Sequence, residues 1–550
     1  MRNLKVILLL IMLASCNRKD RQADMIIINA QIWTGNIENS RTSAMAIRGD
    51  RIMALGTTEQ LIPLAGDKTH IIDLQGYFIT PGFIDSHVHF LTGGKNLSSV
   101  QLRNAGTKEE FISRISAFAR TQQPGTWITG GDWDHKLWGG DLPKKEWIDS
   151  VTSQNPILIN RLDGHMALAN SLALELLQIN PSTHIADGEI EKYENGQLTG
   201  ILREEAYYSQ LMKIPPSSQE VEEGYALAAM NYVAAQGVTS VHDMNGFHDQ
   251  AVFERLHAEG KLITRIYSST PLSNWQALKA KIDTTGYGDK WVRIGGLKGF
   301  VDGSLGSHTA AFTRPYSDDP NSVGYFVNSK EDLHQWIHDA DLAGLQVMVH
   351  AIGDSANHTL LNIYEQVSRE NGPRDRRFRI EHAQHLLPED IPRFAILNVI
   401  ASMQPYHAID DGRWAEEVIG HERARTTYAF HSLLKQGAHL TFGSDWFVAP
   451  PKPLIGIFAA TTRQTLDGEN PEGWMPEQKI NVEEALRAYT INAAYASFEE
   501  NIKGSLEPGK LADFVVLDKD LTSIPPEEIK DVRVMRTYIG GKQVYSNNSN

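Results

Sequence analysis

Pro81-Gly82-Phe83-Ile84-Asp85-Ser86-His87-Val88-His89 closes an apolar run that begins at Tyr77. Side chains on a strand alternate between faces, so His87 and His89 are expected to point the same way. Two imidazoles side by side at the C-terminal end of a buried strand suit one divalent metal ion. A His-x-His pair alone is equally compatible with ordinary polar residues at a strand end. The reading therefore turns on what the rest of the chain brings to the same place.

Downstream, short apolar strands alternate with helical patterns, the signature of βαβ units. Eight strand candidates stand out, at 78–84, 238–242, 264–268, 292–300, 346–350, 378–381, 399–402 and 439–442. Helical stretches such as 219–236, 330–343, 357–370 and 426–435 lie between them. Eight parallel strands with intervening helices make an α/β fold, a (β/α)8 TIM-type barrel, whose active site sits at the C-terminal strand ends.

The polar residues at those ends are of one chemical kind. Strand one ends in His87 and His89, and strand four carries Lys298, followed by Asp302. Strand five ends in His350, strand six in Glu381-His382, and strand eight in Gly443-Ser444-Asp445. Each has a bland alternative: a hydrogen-bonded structural histidine, a snorkelling lysine, a capping aspartate. Their coincidence at successive strand ends points instead to a shared metal site. Metal ligands must be deprotonated, which an ammonium is not. Carboxylation by CO2 would turn Lys298 into an anionic carbamate able to bridge two metals. His242 and Glu381 read as structural, Glu381 pointing away from the mouth. Asp302 shares a face with Lys298 and is a candidate for orienting substrate or a ligand.

These motifs resemble the amidohydrolase superfamily, specifically amidohydrolase family 3, the branch that includes N-substituted formamide deformylases. The matching text is the opening stretch together with Lys298-Gly299-Phe300-Val301-Asp302-Gly303-Ser304, Val349-His350-Ala351-Ile352-Gly353-Asp354, Ile380-Glu381-His382-Ala383-Gln384, Gly443-Ser444-Asp445-Trp446 and the tail Gly504 to Val515. The resemblance implies a binuclear divalent site, zinc by preference. His87, His89 and Asp445 would hold one ion, His350 and His382 the other, with carboxylated Lys298 and a hydroxide bridging them. Asp445 would also shuttle the proton from the nucleophile to the leaving amine. A mononuclear site with unmodified Lys298 is the alternative. The expected reaction is hydrolysis of a non-peptide C–N bond in a small amide or N-substituted formamide. An ester, lactone or cyclic-amide hydrolase on the same site, and a non-catalytic binding lipoprotein, are the competing readings.

Around the barrel, 25–80 and 500–550 carry short alternating strands that are too few at either end to stand alone, so they are expected to form one β-sandwich. The barrel then occupies 81–499, with an insertion at 94–235 after its first strand, far longer than a crossover needs. That insertion is rich in Trp and Gly and is a candidate cap and specificity region. Within it Trp133, His165 and Arg203 are candidate substrate-binding residues.

At the N-terminus, Arg2 and Lys5 precede an apolar run from Val6 to Leu13, and Leu13-Ala14-Ser15-Cys16 resembles a bacterial lipobox. Residues 1–16 thus read as a lipoprotein signal peptide, 17–24 as a tether, and Cys16 as the lipidated residue. The expectation is an exported protein anchored to a membrane, with a soluble periplasmic or secreted protein as the alternative. Cys16 is the only cysteine, so no intramolecular disulfide forms. The 550 residues suggest about three or four domain-sized units. A net charge of −15 argues against a nucleic-acid partner. The expected partner is a small-molecule substrate, and an oligomer is compatible with the sequence.

Overall fold

The computed structural model describes residues 22–161, 166–186 and 188–547. Cys16 and His165 lie outside the described residues. Two compact units divide the chain, one of Met1–Phe90 and Met230–Asn550, the other of Leu91–Ala229.

The first unit contains an eight-stranded, all-parallel sheet in sequential order. Its strands are β1 (Phe83–Val88), β2 (Val238–Asp243), β3 (Arg265–Pro271), β4 (Val292–Phe300), β5 (Gln346–Ala351), β6 (Arg379–His382), β7 (Ile400–Met403) and β8 (His439–Phe442). The ends of the sheet meet just beyond β1 and β8. There the Asp445 N–H donates to the His87 carbonyl (2.7 Å) and the His89 N–H to the Trp446 carbonyl (2.6 Å). Asp85 tightens the seam, its Oδ1 accepting the Ser444 N–H at 2.8 Å. The barrel therefore closes at the very residues expected to hold metal. Gly443 permits the approach, because a Cβ there would lie 2.5 Å from the His87 nitrogen.

Helices pack outside the sheet for ordinary reasons. The Lys330–Leu342 helix is capped by Ser329, whose side chain accepts the Asp332 N–H. Its buried residues Leu333, Ile337 and Ala340 recur at helical spacing on one face.

Two further sheets use both ends of the chain. One orders Arg51–Gly56, Ala44–Arg48, Met25–Ile28 and His70–Asp73; the other orders Lys542–Ser546, Val534–Ile539, Phe514–Leu517, Phe78–Pro81, Gln31–Trp33 and Arg41–Thr42. They share one core, in which Ile27, Met45 and Ile47 pack with Ile79, Phe514 and Val516. A buried ion pair, Arg265 with Asp513 (2.6 Å), ties the start of β3 to the tail.

The single strand expected over 78–84 is two strands. Phe78–Pro81 belongs to the six-stranded sheet and β1 to the barrel. The break falls at Gly82, where a Cβ would sit 2.3 Å from the Thr239 side chain. Both halves are fully buried, so the apolar run carries no mark of the change of sheet.

The second unit is a folded α/β body with its own five-stranded sheet, ordered Gly188–Lys192, Leu198–Glu204, Met166–Ala169, Ile157–Arg161 and Ile128–Trp133. Its cores include Phe111, Ile115, Trp133 and Ile159 on one side, and Leu158, Leu174 and Leu202 on the other. Among the described residues, no helix is long and apolar enough to cross a membrane.

Candidate active site

His87 and His89 turn the same way and converge on Asp445, which follows β8. Their Nε2 atoms lie 3.5 and 3.4 Å from Asp445 Oδ1. One ligand atom from each of His87, His89 and Asp445 falls within 4.8 Å of the others, and the same holds for His382, His407 and Asp445. Asp445 is thus common to two potential metal-holding triads. It adopts a left-handed backbone (φ +60°), as does His382 (φ +75°), which costs each about 1 kcal/mol. At Asp445 the two backbone bonds of the barrel seam hold that conformation in place.

Each histidine expected as a ligand has one ring nitrogen taken. His87 Nδ1 donates to Glu381 Oε2 (2.6 Å), His89 Nδ1 to Asn245 Oδ1 (2.7 Å), His350 Nε2 to the Gly303 carbonyl (3.0 Å) and His382 Nδ1 to Gln404 Oε1 (2.8 Å). An acceptor on one nitrogen places the proton there and leaves the lone pair on the other, the state a metal requires. Burial pushes the pKa of His87 down to about 4 and that of His350 to about 3, each helped by the nearby Lys298 charge. Burial, with His350 adjacent, also drives His382 well below the ordinary range. These three rings are neutral at pH 7 and ready to ligate.

His89 and Asp445 behave differently. Burial opposes charging of His89, but the hydrogen bond and charge of Asp445 outweigh it and raise the pKa. Burial likewise disfavours the Asp445 carboxylate, yet the His89 contact and the surrounding imidazoles hold its pKa well below the ordinary value. Asp445 is therefore ionised at neutral pH. Lys298, buried on β4, places Nζ 3.2 Å from His87 Nε2. Burial lowers its pKa to about 8, against the pull of the Glu381 and Asp445 carboxylates. The neutral rings of His87, His350 and His382 and the Asp445 carboxylate fit a divalent cation such as zinc, which would compete with the proton at His89.

Glu381 does not point away from the mouth. It lies fully buried inside the barrel, bonded to His87 and paired with Arg379 at 2.7 Å. Strand alternation would then send His382 to the opposite face. The positive φ at His382 and at Ala383 (+44°) breaks the alternation, so both side chains serve the site. His242 stays structural, its Nδ1 accepting from Arg379 Nη1 at 2.9 Å.

Asp302 spends its carboxylate on the backbone. It accepts N–H groups of Ala311 (2.8 Å), Ile352 (3.0 Å) and Gly353 (2.8 Å), and stands 3.6 Å from His350 Nε2. It pins the loop beyond β5 and orients His350, rather than presenting a free carboxylate to substrate. Trp133, expected in a substrate pocket, is sealed in a hydrophobic core and donates its indole N–H to the Ile159 carbonyl (2.9 Å). Arg203 pairs with Glu191 at 2.7 Å and with Glu189 at 3.5 Å. Trp133 thus serves packing within the inserted unit.

Sequence reading missed His407, Gln404 and Asn245. Gln404 and His407 lie just past β7, and Asn245 just past β2, where a search of all eight strand ends would have reached them. It also missed two exposed aromatic rings. Phe300, two residues after Lys298, lies 5.3 Å from the His350 ring centroid and is 41% exposed. Phe447, two residues after Asp445, lies 6.1 Å from the His89 ring and is 45% exposed.

Known proteins resemble this chain over nearly its whole length. Protein LONG AFTER FAR-RED 3 of Arabidopsis thaliana is 39% identical over 95% of this chain and 92% of its own length. N-substituted formamide deformylase of Arthrobacter pascens is 28% identical over 94% of this chain and 97% of its own. The crystal structure of an uncharacterized metal-dependent hydrolase from Pyrococcus furiosus superimposes with a TM-score of 0.76 at 29% identity, covering 91% of this chain and all of that one. The sequence profile of the amidohydrolase family, in its family 3 branch, matches residues 70–545. That match runs through the whole barrel and into the tail strands, and the protein accordingly belongs to the amidohydrolase family as a metal-dependent hydrolytic enzyme.

Proposed function

We propose that the protein hydrolyses a small non-peptide amide, an N-substituted formamide or a near relative, at a site holding two zinc ions. The observation that carries this reading is the pair of triads sharing an ionised Asp445. His87, His89 and Asp445 would hold one ion, and His382, with His350 beside it, would serve the other. When bound, zinc supplies Lewis acidity that polarises the amide carbonyl and makes water a nucleophile near neutral pH. Asp445 takes a proton as water adds to the carbonyl carbon. It returns that proton to nitrogen as the C–N bond breaks, so that acid and amine leave. Phe300 and Phe447 offer apolar ring faces beside the ligand histidines, which suits uncharged substituents. The formamide class is supported by the resemblance to the Arthrobacter enzyme.

A panel of N-alkyl and N-benzyl formamides, N-acetyl amines and lactones tests this. Turnover is expected with the formamides, to vanish on dialysis against a chelator, and to return with zinc. A purified protein free of metal, or activity indifferent to chelation, sinks the reading; turnover of lactones alone converts it to an esterase.

Lys298 is proposed to be carboxylated, giving an anionic donor between the two ions. Its pKa of about 8 favours the neutral amine that CO2 requires. With dissolved CO2 held constant, activation of metal-free protein by CO2 and zinc should therefore quicken as pH rises towards about 8 and level off above it. After labelling with 13C-bicarbonate, a carbamate carbon resonance is expected in the wild type and not in Lys298→Met. Identical spectra would show that the lysine is unmodified.

A further inference from the structure

We infer that His407 is a protein ligand of the second cation, completing with His382 and Asp445 a set of three donors. The inference rests on the metal-dependent reading above but adds a ligand outside the expected set. Three independent features of the structure converge on it.

The first is placement. β7 ends at Met403, Gln404 follows, and Pro405 opens the Pro405–Asp411 helix. A proline has no N–H to lose at a helix start and fixes the entry angle of the chain. His407 then falls in the first turn, at the catalytic end of the barrel strands. The same short segment supplies Gln404, which anchors His382 Nδ1 at 2.8 Å. One element thus orients one ligand and presents another.

The second is geometry. The His407 and His382 rings are nearly parallel, 7° apart, with centroids 6.4 Å from one another. One donor atom from each ring and one Asp445 oxygen lie within 4.8 Å of each other. His350 enters neither triad among the described residues. Its Nε2 faces the Gly303 carbonyl and Asp302, although its ring lies 4.5 Å from that of His382.

The third is an unsatisfied atom. His407 Nε2 is buried and has no hydrogen-bond partner in the structure. A buried polar nitrogen without a partner costs about 1–3 kcal/mol. Ligation through Nε2 would remove that cost. It would also add a protein donor to the second ion beside those of His382 and Asp445.

The test compares metal binding in wild type, His407→Ala, His407→Gln and His89→Ala. Each is stripped of metal, checked for fold by circular dichroism, and titrated with Zn2+ against a chromophoric chelator. The Co2+-substituted forms are compared by visible absorption. His407→Ala and His407→Gln are expected to bind one of the two equivalents at least about tenfold more weakly. Their Co2+ bands should change in a pattern different from that of His89→Ala. Wild-type stoichiometry, affinity and Co2+ spectrum in both His407 variants would overturn the inference and leave the hydrolase reading standing. A wild type that takes up no metal would overturn both.

Discussion

Asp445→Asn is expected to fold normally and to lose about a thousandfold or more in kcat on any substrate that the wild type hydrolyses. Loss of a positioned acid–base group alone costs about 10²–10⁴-fold. On the proposed reading Asp445 has a second duty, since both potential metal-holding triads draw a donor from it. The neutral amide keeps the shape of the side chain and the backbone bond from Asp445 N–H to the His87 carbonyl, so the barrel seam stays closed. What disappears is the carboxylate, which the contact with His89 holds ionised at neutral pH. Measuring kcat alongside bound metal separates the two roles. With zinc restored to saturation, a residual loss of about a hundredfold is the share of proton transfer. A variant within tenfold of wild type at full metal occupancy would remove Asp445 from the chemistry.

The second large effect is on stability. Glu381 and Arg379 form a fully buried ion pair at 2.7 Å. Arg379 also donates to the Ser86 carbonyl (2.7 Å), Ser402 Oγ (3.0 Å) and His242 Nδ1 (2.9 Å). Burial disfavours the Glu381 carboxylate, but the Arg379 and His87 contacts outweigh it and lower the pKa. Glu381→Gln leaves the guanidinium without its counter-charge, a loss of about 3–5 kcal/mol. It also releases His87 Nδ1 from a charged acceptor at 2.6 Å, and such second partners are worth about 10–100-fold in metal affinity. A lowered unfolding midpoint and weaker zinc binding should appear together. The double variant Arg379→Met/Glu381→Gln, which removes both charges, should regain much of the stability but not the metal affinity. Equal stability of Glu381→Gln and wild type would show that the interior tolerates an unpaired arginine, against this account.

Much of the architecture could be read along the chain. A βαβ rhythm repeated eight times has one compact closed solution, and polar residues at strand ends face its mouth. That logic singles out His87, His89, Lys298, His350, His382 and Asp445, of which His87, His89, His382 and Asp445 fall in the two potential metal-holding groups. It failed where local pattern and three-dimensional path part company. The run from Phe78 to Ile84 is buried throughout yet changes sheets at Gly82, because burial on both faces erases the alternation that marks a register. Adjacency to His382 implies that Glu381 points away from the mouth, an inference valid only on a regular strand. The Gly-rich text beside Trp133 suggests a pocket, but Gly130 and Gly131 lie within the Ile128–Trp133 strand and Trp133 packs in a hydrophobic core.

The order of residues by itself determined the chemical inventory of this amidohydrolase: which donors stand at which strand ends, and hence that a metal site was to be expected. Only the tertiary structure decided how that inventory is used. It selects the nitrogen of each imidazole that remains available, because the acceptors Glu381, Asn245, Gly303 and Gln404 come from segments distant from at least one of their partners or from the turns beside them. It also brings His407 to Asp445, and Glu381 beneath His87, through left-handed backbone and barrel closure. No periodicity encodes those devices, since each depends on where the chain lies in space and not on the spacing of its residues.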